Sequence, residues 1–529
     1  MNIDHVTLEF RERHQLDCAA TPVTRWQYLR LLIIAGCLLL LLAYRWDFFL
    51  LLTTILLSAI YLSSAIFRGL AAWWSFRGKG EIHISPEQLA ELKDDDLPVY
   101  TILLPLYKEA CIAEKIVRRI NALDYPKDKL DVKLLLEEND EETRKAVASC
   151  TLPPWFEAIV VPDSQPKTKP RACNYGLRAA RGELCVIFDA EDRPDADQLK
   201  KAALAFRRSP ANLACIQAKL NYYNAGQNLL TRLFTIEYST TFDMMLPGQS
   251  LMRLPLPLGG TSNHFRTPIL REIGGWDPFN VTEDCDLGIR IYEKGCYTSV
   301  LESTTWEEAN SRPWNWIRQR SRWVKGFIQT HFVHTRSLPR TISRLGWRGT
   351  IGFFLGVGAG SLMMVVNVFY WLIALIYLGL LWHGAAHGLS LGQMIIGPHD
   401  LHGYDGVAVA GMRLEAWPLF YWGTQENPWW AGSSVLLFIV SATLLLANFM
   451  FIAIHLAACV RRGFYRLIPY SLLMPFYWVM ISVAAWKGLW QFFTKPFYWE
   501  KTIHGLDHNQ PDDPIPGLNP SPAKPEIRT

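Results

Sequence analysis

The sequence predicts an α/β domain, Rossmann-like with a mainly parallel sheet, inserted between transmembrane α-helices. Three observations carry this expectation. Charged residues concentrate between Glu81 and Arg348, while long stretches on either side are nearly charge-free. Within the charged region, short apolar runs alternate with amphipathic helical patterns, as in a parallel sheet covered on both faces. Outside it, apolar runs approach the ~20 residues that a helix needs to cross a bilayer.

Taken in order, residues 1–28 are polar and form an N-terminal segment too charged for a cleaved signal peptide. Leu29–Tyr44 and Phe48–Phe67 are apolar and separated only by Arg45-Trp46-Asp47, so 29–67 reads as a transmembrane hairpin. Arginines flank it on the outer sides of both helices, placing the N-terminus and the following domain in the cytosol. Residues 97–340 form that domain. "VYTILLPLY" (99–107), "VKLLLEE" (132–138) and "ELCVIFDA" (183–190) are its strands, and "EACIAEKIVRRINAL" (109–123) is a helix between two of them. Segments 228–246 and 314–332 mix aromatic and basic residues along amphipathic helices, which suits a membrane surface.

Residues 345–493 return to the membrane. Ile351–Trp382 reads as a tilted span or as an interfacial helix leading into one, Val435–Leu456 spans again after an external loop, 383–430, and Arg461, Arg462 and Arg466 mark the inner side. Leu467–Phe493 carries Pro469 and Pro475 and reads either as a full span or as a re-entrant or interfacial helix. In 494–529, an aromatic-basic stretch, "TKPFYWEKTIHGLDH", precedes a proline-rich tail expected to be disordered. If the last apolar segment does not span, that stretch covers a cytosolic site with Trp499, Lys501, Thr502 and His504.

Composition excludes several classes. The 529 residues sum to a net charge of only +4, and no basic, aromatic-interleaved reader motif is present, so no nucleic-acid partner is expected. The 10 cysteines include no CxxC pair, a spacing that fits neither a zinc site nor a disulfide framework.

The chemistry-bearing residues lie at strand ends, where parallel sheets bind ligands. "CVIFDAEDRPD" (185–195) ends a buried strand in acids, and Asp189 with Glu191 can face one divalent cation whose remaining oxygen sites are filled by diphosphate and water. Asp192 is an open alternative to Glu191, while Asp195 belongs to the turn and the next helix. Around it stand Glu109 after the first strand, "EENDEET" after the second, and "KTKPRACNYG", a basic loop entering a helix. "VTED" (281–284) is by itself a good helix start, with Thr282 as cap.

These motifs in this order resemble the membrane-integrated family 2 glycosyltransferases of the processive polysaccharide-synthase kind. The resemblance rests on the D-x-D-type Asp189-Ala190-Glu191, on Thr282-Glu283-Asp284, and on the Q-x-x-R-W element Gln319-Arg320-Ser321-Arg322-Trp323, and covers about residues 98–335. Within the family the chain most resembles the bacterial branch with "DAED" and "PFYWEKTIHG", which includes the glycosyltransferase part of phage N4 adsorption protein B. The resemblance implies a GT-A domain that transfers sugar from a UDP-sugar with inversion. Asp189 and Glu191 would hold Mg²⁺ or Mn²⁺. Glu109, Glu138, Asp140, Lys169, Asp189 and Arg322 would bind the nucleotide-sugar, although Glu137-Glu138-Asn139 departs from the usual Asp-Asp-Gly. Asp284 would be the general base, and Glu283, Gln319, Trp323 and Ser262 would contact the acceptor.

The expected partners are a UDP-sugar donor, a growing β-linked glycan, membrane lipids, and periplasmic or outer-membrane export components, with the chain in a bacterial inner membrane. Transfer of one sugar to a lipid acceptor is the enzymatic alternative. A non-catalytic membrane receptor that retains the fold is the alternative of another class.

Overall fold

A computed structural model describes residues 3–78, 80–386, 408–409, 412–413 and 428–500. The external loop falls almost wholly outside these residues, as do Lys501, Thr502, His504 and the proline-rich tail.

The domain is built on a nine-stranded sheet. Its strands are β1 (Glu81–Ile82), β2 (Tyr100–Leu106), β3 (Leu130–Glu137), β4 (Phe156–Val161), β5 (Leu184–Ile187), β6 (Arg193–Pro194), β7 (Leu213–Tyr222), β8 (Asn263–Arg266) and β9 (Tyr297–Glu307). The spatial order is β1-β9-β7-β8-β5-β2-β3-β4, with β6 paired to β9. β2 pairs in parallel with both β3 and β5, whereas β8 runs antiparallel to β5 and β7. The expected mainly parallel sheet is therefore present, with β8 reversed at its centre and the short β6 antiparallel to β9.

Burial on both faces explains the apolar strands. β3, β5 and β7 are buried along their whole length. One face packs Ile116, Val117 and Ile120 together with Leu199 and Phe206. The other packs Ala172, Cys173 and Leu177 with Leu287 and Ile291. Two charges inside β3 are satisfied in place: Lys133 pairs with Asp131 at 2.9 Å, and Asp131 also accepts from Thr101 at 2.8 Å.

The N-terminal segment is fastened to this domain. Asp4 caps the helix His5–Arg13 by accepting from Thr7 N at 2.9 Å, and Phe10, Cys18 and Ala19 pack against Phe279 and Val333. The hairpin helices are Arg25–Tyr44 and Trp46–Arg77, the second reaching ten residues beyond its expected end. That extension docks on the domain so closely that a Cβ on Gly248 would lie 1.9 Å from the Ala71 carbonyl oxygen.

Five helical segments among the described residues are long and apolar enough to cross a membrane. The third, Leu338–Leu372, bends at Gly346 (φ 64°) and contains a π-helical turn at Phe354–Gly358. Helix Pro428–Arg462 ends beside the domain, where Arg461 bonds Glu81 at 2.6 Å and Arg462 bonds Asp243 at 2.9 Å. These arginines are thus occupied within the chain.

The last helix, Met474–Thr494, lies alongside Pro313–His334 and runs the same way. Trp316 meets Tyr477 at a ring separation of 5.0 Å and Phe332 meets Phe492 at 5.3 Å. At Gly488 a Cβ would come within 2.6 Å of the Ser321 carbonyl oxygen. Because Pro313–His334 is itself bonded to the domain through Gln329 and Thr330, the last helix returns to the domain rather than leaving it.

Candidate active site

The carboxyl ends of β2, β3, β5, β7 and β9 converge on one cavity of about 750 Å³. Its wall takes Glu109 from beyond β2, Leu135 and Glu137 from β3, Asp189 and Glu191 from beyond β5, and Glu307 from the end of β9. The opposite wall is Glu283 and Asp284 at the start of the helix Glu283–Glu293, with Gln319, Arg322 and Trp323 from Pro313–His334. Three motifs far apart in sequence thus share one space because the sheet edge and two helix faces close on it.

Lys169 sits between the two acidic walls. Its ammonium pairs with Asp189 and bonds the Gly260 carbonyl at 2.7 Å. Burial disfavours its charge, but Asp189 and Glu283 outweigh burial and hold its pKa above the usual lysine range. The loop Gly259-Gly260-Thr261 runs beside the other wall: a Cβ on Gly260 would sit 3.3 Å from Asp284 Oδ2.

Burial raises the two helix-start acids. Asp284 is pushed up to about 6, chiefly by desolvation. Glu283 is pushed up to about 8 by desolvation and by the neighbouring Asp284 charge. Thr282 stands at the cap position but its side chain makes no capping bond. Its hydroxyl and methyl are instead crowded against Gly326, where a Cβ would lie 2.4 Å away. The helix start is therefore set by tertiary packing rather than by the expected cap.

The four acids of "DAED" and its turn separate cleanly. Asp189 and Glu191 line the cavity. Asp192 points inward, is only 4% exposed, and accepts from Asp189 N at 2.7 Å and from the Thr261 hydroxyl. Desolvation, then the Asp189 and Glu191 charges, push its pKa well up. Asp195 accepts from Thr304 N at 2.7 Å and from the Ser303 hydroxyl at 3.1 Å, tying the turn to β9.

Of the other expected site residues, several are elsewhere. Glu138 is exposed and accepts from Asp163 N at 2.8 Å. Asp140 is buried and caps the next helix through Thr143 N. Ser262, with φ 56°, turns away from the cavity to bond Thr305 at 2.7 Å, leaving Thr261 on the wall. Glu137, not singled out from sequence, is the β3 acid that faces inward. It pairs with Arg171 at 2.5 Å, and burial raises it to about 6 despite that partner. Its inward face was legible as strand alternation, since Leu135 lines the same wall.

Arg322 and Arg320 have different surroundings. The Arg322 guanidinium lies 4.3 Å from the Trp499 ring centre, and its buried Nε has no hydrogen-bond partner among the described residues. Arg320 is bound to Glu237 and to the Tyr477 hydroxyl at 3.2 Å, and its guanidinium supports the Trp323 ring at 4.6 Å. Tyr238 flanks the same ring at 6.2 Å. Phe497, Tyr498 and Trp499 complete the cavity wall, held there by Lys325, which bonds the Tyr498 carbonyl at 2.6 Å.

Glu191 and Asp189 fit a cation that arrives with its own oxygen ligands. Among the described residues no group of three or more His, Cys, Asp or Glu side chains is arranged to hold a metal alone. A site of two carboxylates therefore leaves most positions of a hard divalent ion to diphosphate and water.

This arrangement of acids, lysine and arginine around one cavity was compared with known proteins. Residues 184–385 match the family model described as glycosyl transferase family group 2. Residues 184–385 are thus similar in sequence to family 2 glycosyltransferases. The chain is 27% identical over 288 residues to the probable glycosyltransferase YdaM of Bacillus subtilis (strain 168), covering 52% of this chain and 68% of that one. It is 25% identical over 263 residues to glucomannan 4-beta-mannosyltransferase 7 of Arabidopsis thaliana, covering 47% of this chain and 46% of that one. The chain thus spans less than half of the plant enzyme. Among solved structures it is similar to mannosyltransferase PcManGT from Pyrobaculum calidifontis, in complex with GDP-Man and Mn2+. The TM-score there is 0.43, with 17% identity, 82% of this chain covered and 99% of that one.

Proposed function

We propose that this chain is an inverting membrane glycosyltransferase that extends a β-linked glycan from a nucleotide-sugar and leads the product into its helix bundle. The observation that carries the reading is continuity. Arg68, Glu237, Thr241, Met245 and Met364 line both the catalytic cavity and a second cavity between the apolar helices. This shared lining offers a glycan leaving the Trp323 face a path away from the domain.

In this reading Asp284 removes the proton from the acceptor hydroxyl as that oxygen attacks the anomeric carbon. A carboxylate raised toward 6 by burial is better matched to this task than an exposed one. Lys169 and Arg322 oppose the charge that develops on the leaving diphosphate. A divalent cation on Asp189 and Glu191 supplies Lewis-acid neutralisation of the same group when bound. Trp323 offers a flat face for the acceptor ring, and Arg320 and Tyr238 keep it in place. Trp499 closes the cavity over Arg322 and excludes water. The cytosolic orientation of the domain follows from the arginine-rich ends beside it and from where nucleotide-sugars are made.

The test is nucleotide release by the purified full chain across a panel of UDP-Glc, UDP-GlcNAc, UDP-GlcA and GDP-Man, with product sizing. A ladder of long products is expected. No release above that of Asp284→Asn with any donor would sink the reading, and a single lipid-linked sugar would replace the polymer with the lipid acceptor.

A further inference from the structure

We propose that the glycan handled by this chain is acidic, and that Arg68 pairs with its carboxylate or phosphate group in the cavity beyond the catalytic site. This rests on the glycan-extending reading above and names the substrate class it takes. Arg68 lies within the apolar helix Trp46–Arg77, nine residues before its end and so about 13 Å inward at ~1.5 Å per residue. A cation at such a position is costly unless something neutralises it. Among the described residues its guanidinium has no hydrogen bond or ion pair, and it lies 5.7 Å from the centre of the Phe451 ring.

The second cavity, of about 150 Å³, has a single acidic residue on its wall, Glu237. That carboxylate is already engaged by Arg320 and accepts from the Tyr477 hydroxyl at 2.6 Å. The junction between the cavities therefore carries two guanidinium groups for one carboxylate, an excess of one positive charge. The remaining polar wall groups include Asn367, Asn448 and His455. Asn448 already accepts from the Tyr61 hydroxyl at 3.0 Å and donates to the Leu444 carbonyl at 2.9 Å, and His455 bonds Thr240 at 2.5 Å, so these two wall groups are satisfied in place and Arg68 is the charged one open to an incoming anion. Because Arg68 lines both cavities, it lies on the path of a chain extended at the catalytic site, which favours an acidic sugar as the anion and makes a lipid phosphate the alternative that the test separates.

The test uses the full chain in phosphatidylcholine nanodiscs and fluorescein-labelled primers, read by anisotropy without donor. The primers are a β-linked glucuronate-containing tetrasaccharide, its carboxyl-reduced neutral counterpart, and a polyprenyl phosphate. The acidic primer should bind at least tenfold more tightly than the neutral one. That ratio should fall to about 1 in Arg68→Gln and persist in part in Arg68→Lys. Equal affinities in the wild type overturn the proposal, as does an unchanged ratio in Arg68→Gln or binding of the polyprenyl phosphate alone. Nucleotide release is measured in parallel. Release without an acid preference removes this inference only, while an acid preference without release from any donor removes the transferase reading and leaves the anion site standing.

Discussion

The catalytic cavity and the membrane cavity share residues but follow opposite rules. In the first, charge is dense and its groups stand at the ends of regular elements: strand ends carry Glu137, Asp189 and Glu307, and a helix start carries Glu283 and Asp284. In the second, charge is sparse and the wall is assembled from helices far apart in the chain, Arg68 and Asn448 among them. The difference teaches where each kind of function is lodged. Covalent chemistry needs opposed charges at fixed positions, which a sheet edge provides. The proposed passage of a glycan would need weak, replaceable hydrogen bonds, which neutral side chains on helices provide.

The largest break between the two is expected from Asp284→Asn, which should lower kcat by about 10² to 10⁴-fold while leaving nucleotide binding intact. Since the carboxyl of Asp284 is held near 6, kcat/KM of the wild type should fall below about pH 6 as the base gains a proton. A pH profile that stays flat from 5 to 8 would remove Asp284 from the role of base.

Metal dependence separates neighbouring acids inside the catalytic cavity. Glu191→Gln should weaken activation by Mg²⁺ or Mn²⁺ by tenfold or more, whereas Asp192→Asn should retain it. Burial and the neighbouring Asp189 and Glu191 charges raise the Asp192 carboxyl, which faces Thr261 rather than the cavity. Titrating each variant with metal reads this directly, and loss in Asp192→Asn alone would shift the register by one residue.

His334 probes a region remote from both cavities. It joins Asp286 at 2.9 Å and Glu293 at 3.0 Å, and although burial works against its charge, these partners raise it to about 10. Removing one member of a buried ion network typically costs about 3 kcal/mol, so His334→Ala should lower the unfolding midpoint without altering donor specificity. A raised pKa means that this contribution is complete below about 6.5, the unfolded value, and is lost as pH rises through about 10. The difference in midpoint between wild type and variant should therefore shrink between these limits.

The smallest effect is expected from Trp323→Leu, about 1 kcal/mol or roughly fivefold in acceptor KM, the scale of one aromatic contact. A change confined to kcat would argue that Trp323 shapes Asp284 or Arg322 instead of stacking a sugar.

Much of the site was legible in the sequence because its motifs are local. An apolar run that ends in acids marks a strand end, so Asp189 and Glu191 were identifiable before any fold was known. Glu283 and Asp284 open one helix, and Gln319 and Trp323 lie four residues apart on another, a spacing that puts both on one face. Glu138 and Asp140 were not resolved in the same way. A side chain changes face with each residue of a strand, and the departure from Asp-Asp-Gly removed the marker that would have set the register to Glu137. Ser262 was misplaced for a related reason, since its positive φ reverses which residue of the loop faces inward.

What the sequence determined by itself was the sheet, the charged domain between apolar flanks, and the residue types that such chemistry requires. These follow from short-range periodicity and from the free energy of burying apolar surface. Only the tertiary structure decided that Met474–Thr494 returns to the domain and brings Phe497 to Trp499 into the catalytic cavity. Only it decided that Arg320 is spent on Glu237 while Arg322 faces the site, and that Arg68 opens onto both cavities. Pairings between residues hundreds of positions apart depend on how helices pack and which charges find partners first, and no local pattern in the chain records that choice.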